Sequence, residues 1–380
     1  MYPALAVLQA LTKESSDLAK EESPIEGPLF SARSSDVLWV GGVGGMEGNL
    51  VERAGVSYRE IPAAGVHGVG LGALPGNMLQ LGQGFRTARG IIRRFRPDVL
   101  LFTGGYLAVP VALAARMPLL RMKRPRSLLY VPDIEPGLAI KTVARFADQI
   151  AVTVADTIAF LPGKPRVIVT GYPLRKDLRA WEREKARQFF NLQPGLPVLL
   201  VFGGSKGARS LNQALLKALP ELLVEMQVIH LSGQLDWPEV ERFRAGLPGE
   251  IASRYRAYPY LYEEMGAAMT LADLAVSRAG ASVLGEMPYF GLPAILVPYP
   301  HAWRYQKVNA SFLEKRGAAV IVEDQLISDK LLDMVRELMR STHRREQMRR
   351  EMNSLAHPQA ADCIASLLVG LAENSPREGC

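Results

Sequence analysis

Cysteine is scarce in this chain, and its scarcity excludes several kinds of protein. The 380 residues include only Cys363 and the C-terminal Cys380. Two cysteines are too few for a disulfide framework or for a metal cluster, and such sparing use suits a reducing cytoplasm. No group of histidines and cysteines has the spacing of metal ligands either. The sequence therefore predicts no metal and no bound cofactor.

Long apolar segments are also missing. The uncharged run 99–115 is interrupted by a threonine, two glycines and a proline. It falls short of the roughly 20 apolar residues that a membrane-spanning helix needs. The first residues lack the basic segment of a signal peptide and instead show a helix-like pattern. We expect neither a transmembrane helix nor a secretory leader.

The composition is otherwise that of a globular protein. Hydrophobic residues make up 48% of the chain and aromatic residues 7%. At roughly 100 to 200 residues per domain, the length favours two domains, each large enough to bury its own core. A formal net charge of +7 favours anionic partners such as phosphate groups, nucleic acid or an acidic membrane face, without selecting among them.

Short apolar runs alternate with amphipathic helical stretches along most of the chain. Such runs are typical of buried parallel strands, and their alternation with helices indicates right-handed βαβ units. The predicted strands are 37–40, 99–102, 128–131, 150–152, 167–169, 198–202, 228–231, 274–276, 294–297 and 320–322, and the predicted helices include 77–95, 177–190, 208–219, 282–290 and 306–315. Because one open sheet of ten strands is less common than two smaller ones, we expect two doubly wound α/β domains joined near 170–175.

The strand predicted at 198–202 runs directly into Gly203-Gly204-Ser205-Lys206-Gly207 and then into a helix. Backbone N–H groups at a helix N-terminus attract anions, and glycines let a phosphate approach the backbone. The loop matches neither the P-loop nor the GxGxxG dinucleotide pattern. A tight turn that needs glycine only for its backbone conformation would look the same. Phosphate binding and a structural turn are both open for this loop.

Two further strand ends carry polar groups. The stretch from Ser277 to Glu286 again indicates strand, small-residue loop and helix, with Glu286 about a turn and a half into the helix. A carboxylate there can accept hydrogen bonds from both hydroxyls of a ribose, although a solvated helix carboxylate fits equally well. His301 and Gln306 follow the next strand. Because open α/β sheets bind ligands at their carboxyl edge, we expect these loops to line one site.

Basic residues cluster in two segments of the first half. Five arginines between 86 and 96 are interleaved with apolar residues on a predicted helix, and 119–126 repeats the mixture. Such segments suit an anionic membrane surface, and a solvated charged helix is the alternative. Nucleic acid is less favoured, because the segments offer little aromatic stacking for bases.

Taken in order, these motifs resemble the GT-B glycosyltransferases of family 28 that use UDP-GlcNAc in bacterial peptidoglycan synthesis. The likeness covers nearly the whole chain. The motifs that carry it are Tyr2-Pro-Ala-Leu-Ala, Phe102-Thr-Gly-Gly-Tyr106, Thr170-Gly-Tyr-Pro-Leu-Arg175, Phe202-Gly-Gly-Ser-Lys-Gly-Ala208, the stretch 277–286, Pro298-Tyr-Pro-His301 and Gln306-Lys-Val-Asn309. Each motif is modest alone, whereas their order and spacing are specific.

The resemblance implies two Rossmann-like doubly wound parallel-sheet domains facing a cleft. Residues 1–170 would form the acceptor- and membrane-facing domain, with the C-terminal helix 356–372 packing back on it, and residues 171–355 would bind UDP-GlcNAc. The implied enzyme is an inverting hexosaminyltransferase that moves GlcNAc to the C4 hydroxyl of undecaprenyl-diphospho-MurNAc-pentapeptide (lipid I), giving lipid II. It would be a peripheral protein on the cytoplasmic face of the bacterial cell membrane.

The resemblance also assigns roles to residues by their position in the motifs. The substrate-binding residues it implies are Arg175, Gly204, Ser205, Ala281, Glu286 and Gln306 for the donor, and Gly104, Gly105 and Tyr106 for the acceptor. Arg175 and Ser205 would contact the nucleotide diphosphate. Glu286 would bind the ribose hydroxyls, and the Ala281 backbone and Gln306 would contact the donor sugar and its surroundings.

Two departures from the family pattern concern catalysis. The family's Gly-Gly-Thr-Gly-Gly-His loop precedes the residues that match Tyr2-Pro-Ala-Leu-Ala, so this chain begins after the usual catalytic histidine. The family's His-Glu-Gln-Asn tetrad is also replaced, with Asp133 at its last position when Gly137 is aligned. We therefore expect an incomplete transferase whose general base is unidentified, with His67 and Asp133 as weak candidates. The alternatives are a related transferase with another lipid acceptor and a catalytically impaired nucleotide-sugar-binding protein.

Overall fold

The computed structural model describes residues 2–12, 36–44, 47–62, 74–117, 123–163, 166–204, 207–301 and 305–373. The chain divides into two compact units. The first comprises Met1–Arg175 and Gln359–Cys380, and the second comprises Lys176–Pro358. Each unit has its own parallel sheet, flanked by helices.

The first unit contains a four-stranded parallel sheet and a separate pair of parallel strands. Its elements are α1 (Tyr2–Leu11), β1 (Leu38–Gly42), α2 (Glu47–Arg53), β2 (Ser57–Ile61), α3 (Leu74–Phe95), β3 (Val99–Phe102), α4 (Ala108–Arg116), β4 (Arg126–Val131), α5 (Leu138–Ala144), β5 (Gln149–Val152) and β6 (Arg166–Val169). The sheet has the order β3-β4-β5-β6, and β1 pairs with β2.

The core of the first unit lies around β4 and β5. Leu129 and Ile150 on these strands are fully buried, as expected for central parallel strands covered by helices on both faces. Helix α3 contributes Ala88 and Ile92 to this core and contacts α4. The opposite side of α3 is basic, with exposed arginines at 86, 93 and 94. Helix α3 is therefore amphipathic, as the sequence predicts.

The second unit contains a six-stranded parallel sheet. Its elements are α6 (Arg183–Phe190), β7 (Val198–Phe202), α7 (Arg209–Glu225), β8 (Gln227–Leu231), α8 (Trp237–Ala245), α9 (Gly249–Ala252), β9 (Tyr255–Tyr258), α10 (Met265–Leu271), β10 (Leu274–Ser277), α11 (Glu286–Phe290), β11 (Ala294–Leu296), α12 (Tyr305–Lys315), β12 (Ala319–Ile321), α13 (Ile327–Arg340) and α14 (Thr342–Ser354). The strand order is β12-β11-β10-β7-β8-β9.

The longest helix pair of the second unit, α7 and α13, packs through apolar stripes. On α7 the fully buried residues Leu211, Leu215 and Leu219 recur every four positions, and Leu331 and Val335 on α13 have the same spacing. This period places the side chains on one face of each helix. At the rim, Arg336 and Arg340 on α13 pair with Glu225 at the end of α7.

The last helix, α15 (Ala360–Glu373), belongs to the first unit. It contacts α1, β3 and β4, and its apolar residues, including Ile364 and Leu368, are buried. The chain thus leaves the first unit after residue 175 and returns to it at residue 359.

The predicted fold class, two α/β units built on parallel sheets, is confirmed. All ten predicted strands are present with small shifts at their ends, whereas β2 and β9 were not predicted. Two predicted helices are wrong in part. The helix predicted at 177–190 is a 3₁₀ turn, Asp177–Arg179, followed by α6. The segment between them, 180–182, is not helical. It is bound to another part of the unit, because the indole N–H of Trp181 donates to the carbonyl of Glu263 at 3.0 Å.

Candidate functional site

The strand order of the second unit reverses between β7 and β10, which are neighbours although β8 and β9 lie between them in sequence. At such a reversal the connections leave the sheet in opposite directions and open a crevice at the carboxyl ends of the strands. The glycine loop follows β7, and the loop toward Glu286 follows β10. The two loops singled out from the sequence therefore flank the position at which open α/β sheets bind ligands.

The glycine loop depends on its glycines for two different reasons. Gly204 and Gly207 have φ values of +86° and +81°, in the left-handed region that disfavours other residues. Gly207 also lacks space, because a Cβ there would lie 2.2 Å from the carbonyl oxygen of Ser232, whereas a Cβ on Gly204 would meet nothing within 4 Å. Ser205, the predicted diphosphate contact, lies outside the described residues.

Helix α7 begins directly after this loop, with Ala208 as its extended N-cap residue. The first N–H groups of a helix have no acceptor within it, and together with the helix dipole they attract an anion. No acidic residue occupies the first turn of α7. The loop and the helix start thus combine close backbone approach with a favourable potential for a phosphate group.

Arg278, the residue directly after β10, forms hydrogen bonds with several elements beside the crevice. Its guanidinium donates to the carbonyl of Val297 at 3.1 Å, to the hydroxyl of Ser210 at 2.9 Å and to the carboxylate of Asp324. Ser210 in turn donates to Asp324 at 2.6 Å. Only 10% of the Arg278 side chain is exposed, so its charge is neutralised by hydrogen-bonded partners rather than by water. Arg278 was not predicted to be a functional residue, although it lies in the strand-end motif 277–286.

Gln306 and Asn309 on α12 hold the loops that follow β10 and β11. The Gln306 side-chain oxygen accepts from the backbone N–H of Tyr299 at 2.8 Å and of Ala279 at 3.3 Å. The buried Asn309 side chain donates to the carbonyl of Ala279 at 3.2 Å. Because two backbone donors meet the Gln306 oxygen, the amide orientation is defined, and the nitrogen lies at the opposite end of the amide.

Glu286 lies at the first position of α11, not a turn and a half into a helix as predicted. The helix predicted at 282–290 is wrong because Gly285, with φ −133° and ψ −48°, interrupts it. Ala281 opens a separate 3₁₀ turn, Ala281–Leu284, and both Ala281 and Glu286 are half-buried. The two predicted donor residues therefore belong to the same short connection after β10.

A buried chain of hydrogen bonds runs beside the glycine loop. His230 on β8 is fully buried, with Nδ1 2.7 Å from the Tyr255 hydroxyl and Nε2 3.0 Å from Asn212 Oδ1. The Asn212 Nδ2 donates to the carbonyl of Ser232 at 2.8 Å and to Asp236 at 2.7 Å. Burial lowers the pKa of His230 to about 3, because desolvation disfavours the charged ring. The imidazole is therefore neutral at physiological pH.

The first unit presents the residues predicted for the acceptor. Gly104 and Gly105 follow β3 with φ values of +113° and +84°, and the exposed Tyr106 follows them. Asp133 lies in the half-buried loop after β4. His67, the other predicted candidate for the base, lies outside the described residues.

Arg175 is the last residue of the first unit. Its guanidinium lies 4.6 Å from the ring centroid of Tyr2 on α1, a cation–π distance. The structure thus places this residue beside α1, and its predicted contact with a nucleotide diphosphate stays a prediction.

The described residues contain neither a cluster of metal ligands nor a membrane-spanning helix. In these ranges no group of three or more histidine, cysteine, aspartate or glutamate side chains could hold a metal ion. None of the helices within them is long and apolar enough to cross a membrane.

Known proteins with related sequences share both halves of the chain. The glycosyltransferase family 28 N-terminal domain matches residues 29–152, and the C-terminal domain of the same family matches residues 198–364. A Roseiflexus sp. (strain RS-1) protein is 37% identical, covering 97% of this chain and 91% of its own length. A Desulforudis audaxviator protein is 33% identical, with 99% and 96% covered. Both relatives are named UDP-N-acetylglucosamine--N-acetylmuramyl-(pentapeptide) pyrophosphoryl-undecaprenol N-acetylglucosamine transferase.

Solved structures agree with this grouping. The crystal structure of Acinetobacter baumannii MurG has a TM-score of 0.68 at 26% identity, covering 97% of this chain and 95% of that one. A putative UDP-N-acetylglucosamine 2-epimerase from Listeria monocytogenes has a TM-score of 0.65 at 14% identity, with 99% and 96% covered, and shares the fold alone. The predicted GT-B fold is confirmed. With both of its domains matched and close relatives along nearly its whole length, the chain belongs to glycosyltransferase family 28.

Proposed function

We propose that this chain transfers N-acetylglucosamine from UDP-GlcNAc to the C4 hydroxyl of undecaprenyl-diphospho-MurNAc-pentapeptide, forming lipid II and UDP. The observation that carries the proposal is the crevice at the strand-order reversal of the second unit. Two loops with the chemistry of a nucleotide-sugar site flank it, one glycine-rich at a helix N-terminus and one leading to a carboxylate. The names of the two relatives supply the donor and the acceptor.

The donor lies with its diphosphate at the start of α7. Gly204 and Gly207 let the phosphates approach the backbone, and the helix dipole favours their charge. Ser205 adds a hydroxyl donor to the same diphosphate. The ribose hydroxyls donate to the carboxylate of Glu286, which accepts two hydrogen bonds better than one neutral oxygen would.

The sugar lies nearer to α12. The amide nitrogen of Gln306 donates to it, since the amide oxygen already accepts from two backbone N–H groups. The backbone N–H of Ala281, at the start of its 3₁₀ turn, has no acceptor within that turn and donates to the sugar or its phosphate. Arg278 holds the surrounding loops in place through Ser210 and Asp324.

The reaction is a displacement at the anomeric carbon. The acceptor oxygen forms the new bond while the bond to the β-phosphate oxygen breaks, so UDP leaves with the electron pair and the configuration inverts. Negative charge grows on the departing diphosphate, where the N–H groups at the start of α7 stabilise it. The hydroxyl proton passes to a general base, for which Asp133 and His67 are the candidates in this chain.

The first unit holds the acceptor. Gly104, Gly105 and Tyr106, at the carboxyl end of β3, face the muramyl diphosphate. The arginine-bearing side of α3 rests on anionic lipid at the cytoplasmic face of the cell membrane, so the enzyme is a peripheral protein there. UDP-GlcNAc, the lipid-linked acceptor and this membrane surface are its partners, and nucleic acid is not.

The experiment that tests the proposal supplies UDP-GlcNAc with different acceptors. The full chain is incubated with lipid I in vesicles, and products are identified by mass spectrometry. A disaccharide lipid and stoichiometric UDP are expected. Transfer to another polyprenyl-diphosphate sugar but not to lipid I would indicate a related transferase. Binding of UDP without product on any acceptor would indicate a nucleotide-sugar-binding protein.

A further inference from the structure

Tyr255, His230 and Asn212 form a buried series of hydrogen-bonded polar side chains within an apolar core. The residues around it on α7, β8 and β9 belong to the main apolar cluster of the second unit, and His230 has no exposed surface. A buried polar group is tolerated only when its hydrogen bonds are made, and a leucine would fill the same volume without that requirement. Packing alone therefore does not account for these three polar side chains.

The direction of each hydrogen bond between these side chains follows from the two bonds that Asn212 Nδ2 donates. Both hydrogens of Asn212 Nδ2 are used, by Ser232 and Asp236, so Asn212 Oδ1 must accept. His230 consequently carries its proton on Nε2 and donates it to that oxygen, at 3.0 Å. Its Nδ1 then accepts from the Tyr255 hydroxyl, at 2.7 Å. The reverse tautomer would place two acceptors against each other.

At its Asn212 end, this series of hydrogen bonds reaches the glycine loop. The carbonyl oxygen of Ser232, which accepts from Asn212, is the same atom that leaves no room for a Cβ on Gly207. Asn212 stands in the first turn of α7, immediately after that loop. The Ser232 carbonyl group, just after β8, thus contacts both the glycine loop and the first turn of α7.

We propose that His230 and Tyr255 are positioning residues for the diphosphate end of the donor site, acting through Asn212 on the glycine loop. This inference rests on the proposed function only for the identity of the ligand, a nucleoside diphosphate. The histidine fixes which end of the asparagine amide faces the loop. A flipped amide would direct its oxygen at the Ser232 carbonyl and the Asp236 carboxylate, which repel it.

The test uses variants of the full chain that remove one hydrogen bond at a time. Tyr255→Phe deletes the hydroxyl that donates to His230. Tyr258→Phe is the matched control, because Tyr258 lies on the same strand and packs against Phe190, outside the chain of hydrogen bonds. Two measurements are made on each protein: the affinity for UDP by calorimetric titration, and amide hydrogen exchange of peptides that span 203–211 without ligand.

We expect Tyr255→Phe to raise the Kd of UDP at least threefold and to speed exchange in 203–211, while Tyr258→Phe changes neither. His230→Leu should have a larger effect, about tenfold on Kd. His230→Gln should recover most of the loss, because its side-chain nitrogen can still donate to Asn212. If the histidine only filled space, His230→Gln would not bind UDP more tightly than His230→Leu, nor would its loop exchange more slowly than the loop of His230→Leu.

The two readouts separate the inference from the function on which it depends. If the parent protein does not bind UDP, the proposed function is contradicted, and loop exchange still decides the inference. If exchange in 203–211 is the same in Tyr255→Phe as in the parent protein, the positioning role is overturned. Should His230→Leu fail to fold, the conservative Tyr255→Phe and His230→Gln variants supply the comparison.

Discussion

The side-chain oxygen of Gln306 accepts a hydrogen bond of 2.8 Å from the backbone N–H of Tyr299. The same oxygen accepts from Ala279, so one amide connects the loops that follow β10 and β11. The accepting and donating ends of Gln306 therefore have separable tasks. The oxygen shapes the loops, and the nitrogen is the end that we assign to the donor sugar.

Two substitutions separate these tasks. Gln306→Glu keeps an accepting oxygen and loses the donor, so it should lower the affinity for UDP-GlcNAc while changing the free energy of unfolding little. Gln306→Met loses both and should also destabilise the protein by about 1–3 kcal/mol, because two backbone N–H groups lose their acceptor. Urea denaturation and titration with UDP-GlcNAc measure the two effects. Equal destabilisation by both variants would contradict this division of tasks.

Glu286 should contribute to nucleotide binding through the ribose. If its carboxylate accepts two hydroxyl hydrogen bonds, Glu286→Ala should weaken UDP binding by a few kcal/mol, at about 1.5–3 kcal/mol for each bond to a charged group. Glu250→Ala, at an exposed position on α9, is the control and should bind UDP like the parent protein. Calorimetric titration with UDP makes the comparison. Unchanged affinity in Glu286→Ala would remove the ribose role.

The glycine loop offers a matched pair of substitutions. Gly204→Ala and Gly207→Ala both place an alanine at positive φ, which costs about 1–2 kcal/mol, but only the second also meets the Ser232 carbonyl. We expect Gly207→Ala to lose clearly more stability in urea denaturation and to weaken UDP binding more than tenfold. Similar losses of stability for the two variants would show that the close contact at Gly207 is unimportant.

The neutral His230 should make the second unit sensitive to acid. Its pKa falls from 6.5 to about 3 on folding, so its stabilising effect is complete above about pH 6.5 and is lost as the pH falls toward 3. At pH 5 this group alone should lower the free energy of unfolding by about 2 kcal/mol relative to pH 7. Urea denaturation at both pH values tests this, with His230→Gln as the variant that lacks the titrating group. An equal drop in both proteins would mean that other groups cause the acid sensitivity.

The basic side of α3 should bind anionic membranes. Each basic residue near such a surface contributes about 1 kcal/mol, so Arg93→Glu with Arg94→Glu should reduce binding to anionic vesicles by more than tenfold. Lys330→Glu with Arg350→Glu makes the same change of net charge at exposed positions of the second unit and should have little effect. Vesicle flotation at two salt concentrations measures binding. A parent protein that floats equally with neutral vesicles, or is indifferent to salt, would count against this surface.

Most of the sheet could be predicted from the sequence because its central strands are short, continuous apolar runs. The runs at 99–102 and 198–202 match β3 and β7. The two strands that were not predicted lack such a run. β2 has the exposed polar pair Arg59 and Glu60, and β9 is an edge strand of four residues that includes Arg256. Edge strands have fewer apolar positions to bury, so periodicity identifies them poorly.

The candidate site could be predicted in its position but not in its internal connections. Glycines and a carboxylate after strands mark the carboxyl edge, and the strand order places those loops together. The contacts of Arg278 with Asp324 and of His230 with Asn212 join residues separated by 46 and 18 positions. No local pattern reports such pairs, because only the packing of separate elements creates them. The position of Glu286 was misjudged because a single glycine ended the preceding turn.

The central claim is that the crevice at the carboxyl ends of β7 and β10 holds the donor of a lipid I transferase. The measurement that tests it most directly is the initial rate of lipid II formation from UDP-GlcNAc and lipid I in anionic vesicles. It is made with the parent chain, Glu286→Ala and the control Glu250→Ala. We predict lipid II from the parent chain and from Glu250→Ala at similar rates, with kcat/KM for UDP-GlcNAc at least tenfold lower in Glu286→Ala. Equal rates in all three proteins would contradict the donor site, and the absence of lipid II from the parent chain would contradict the proposed reaction.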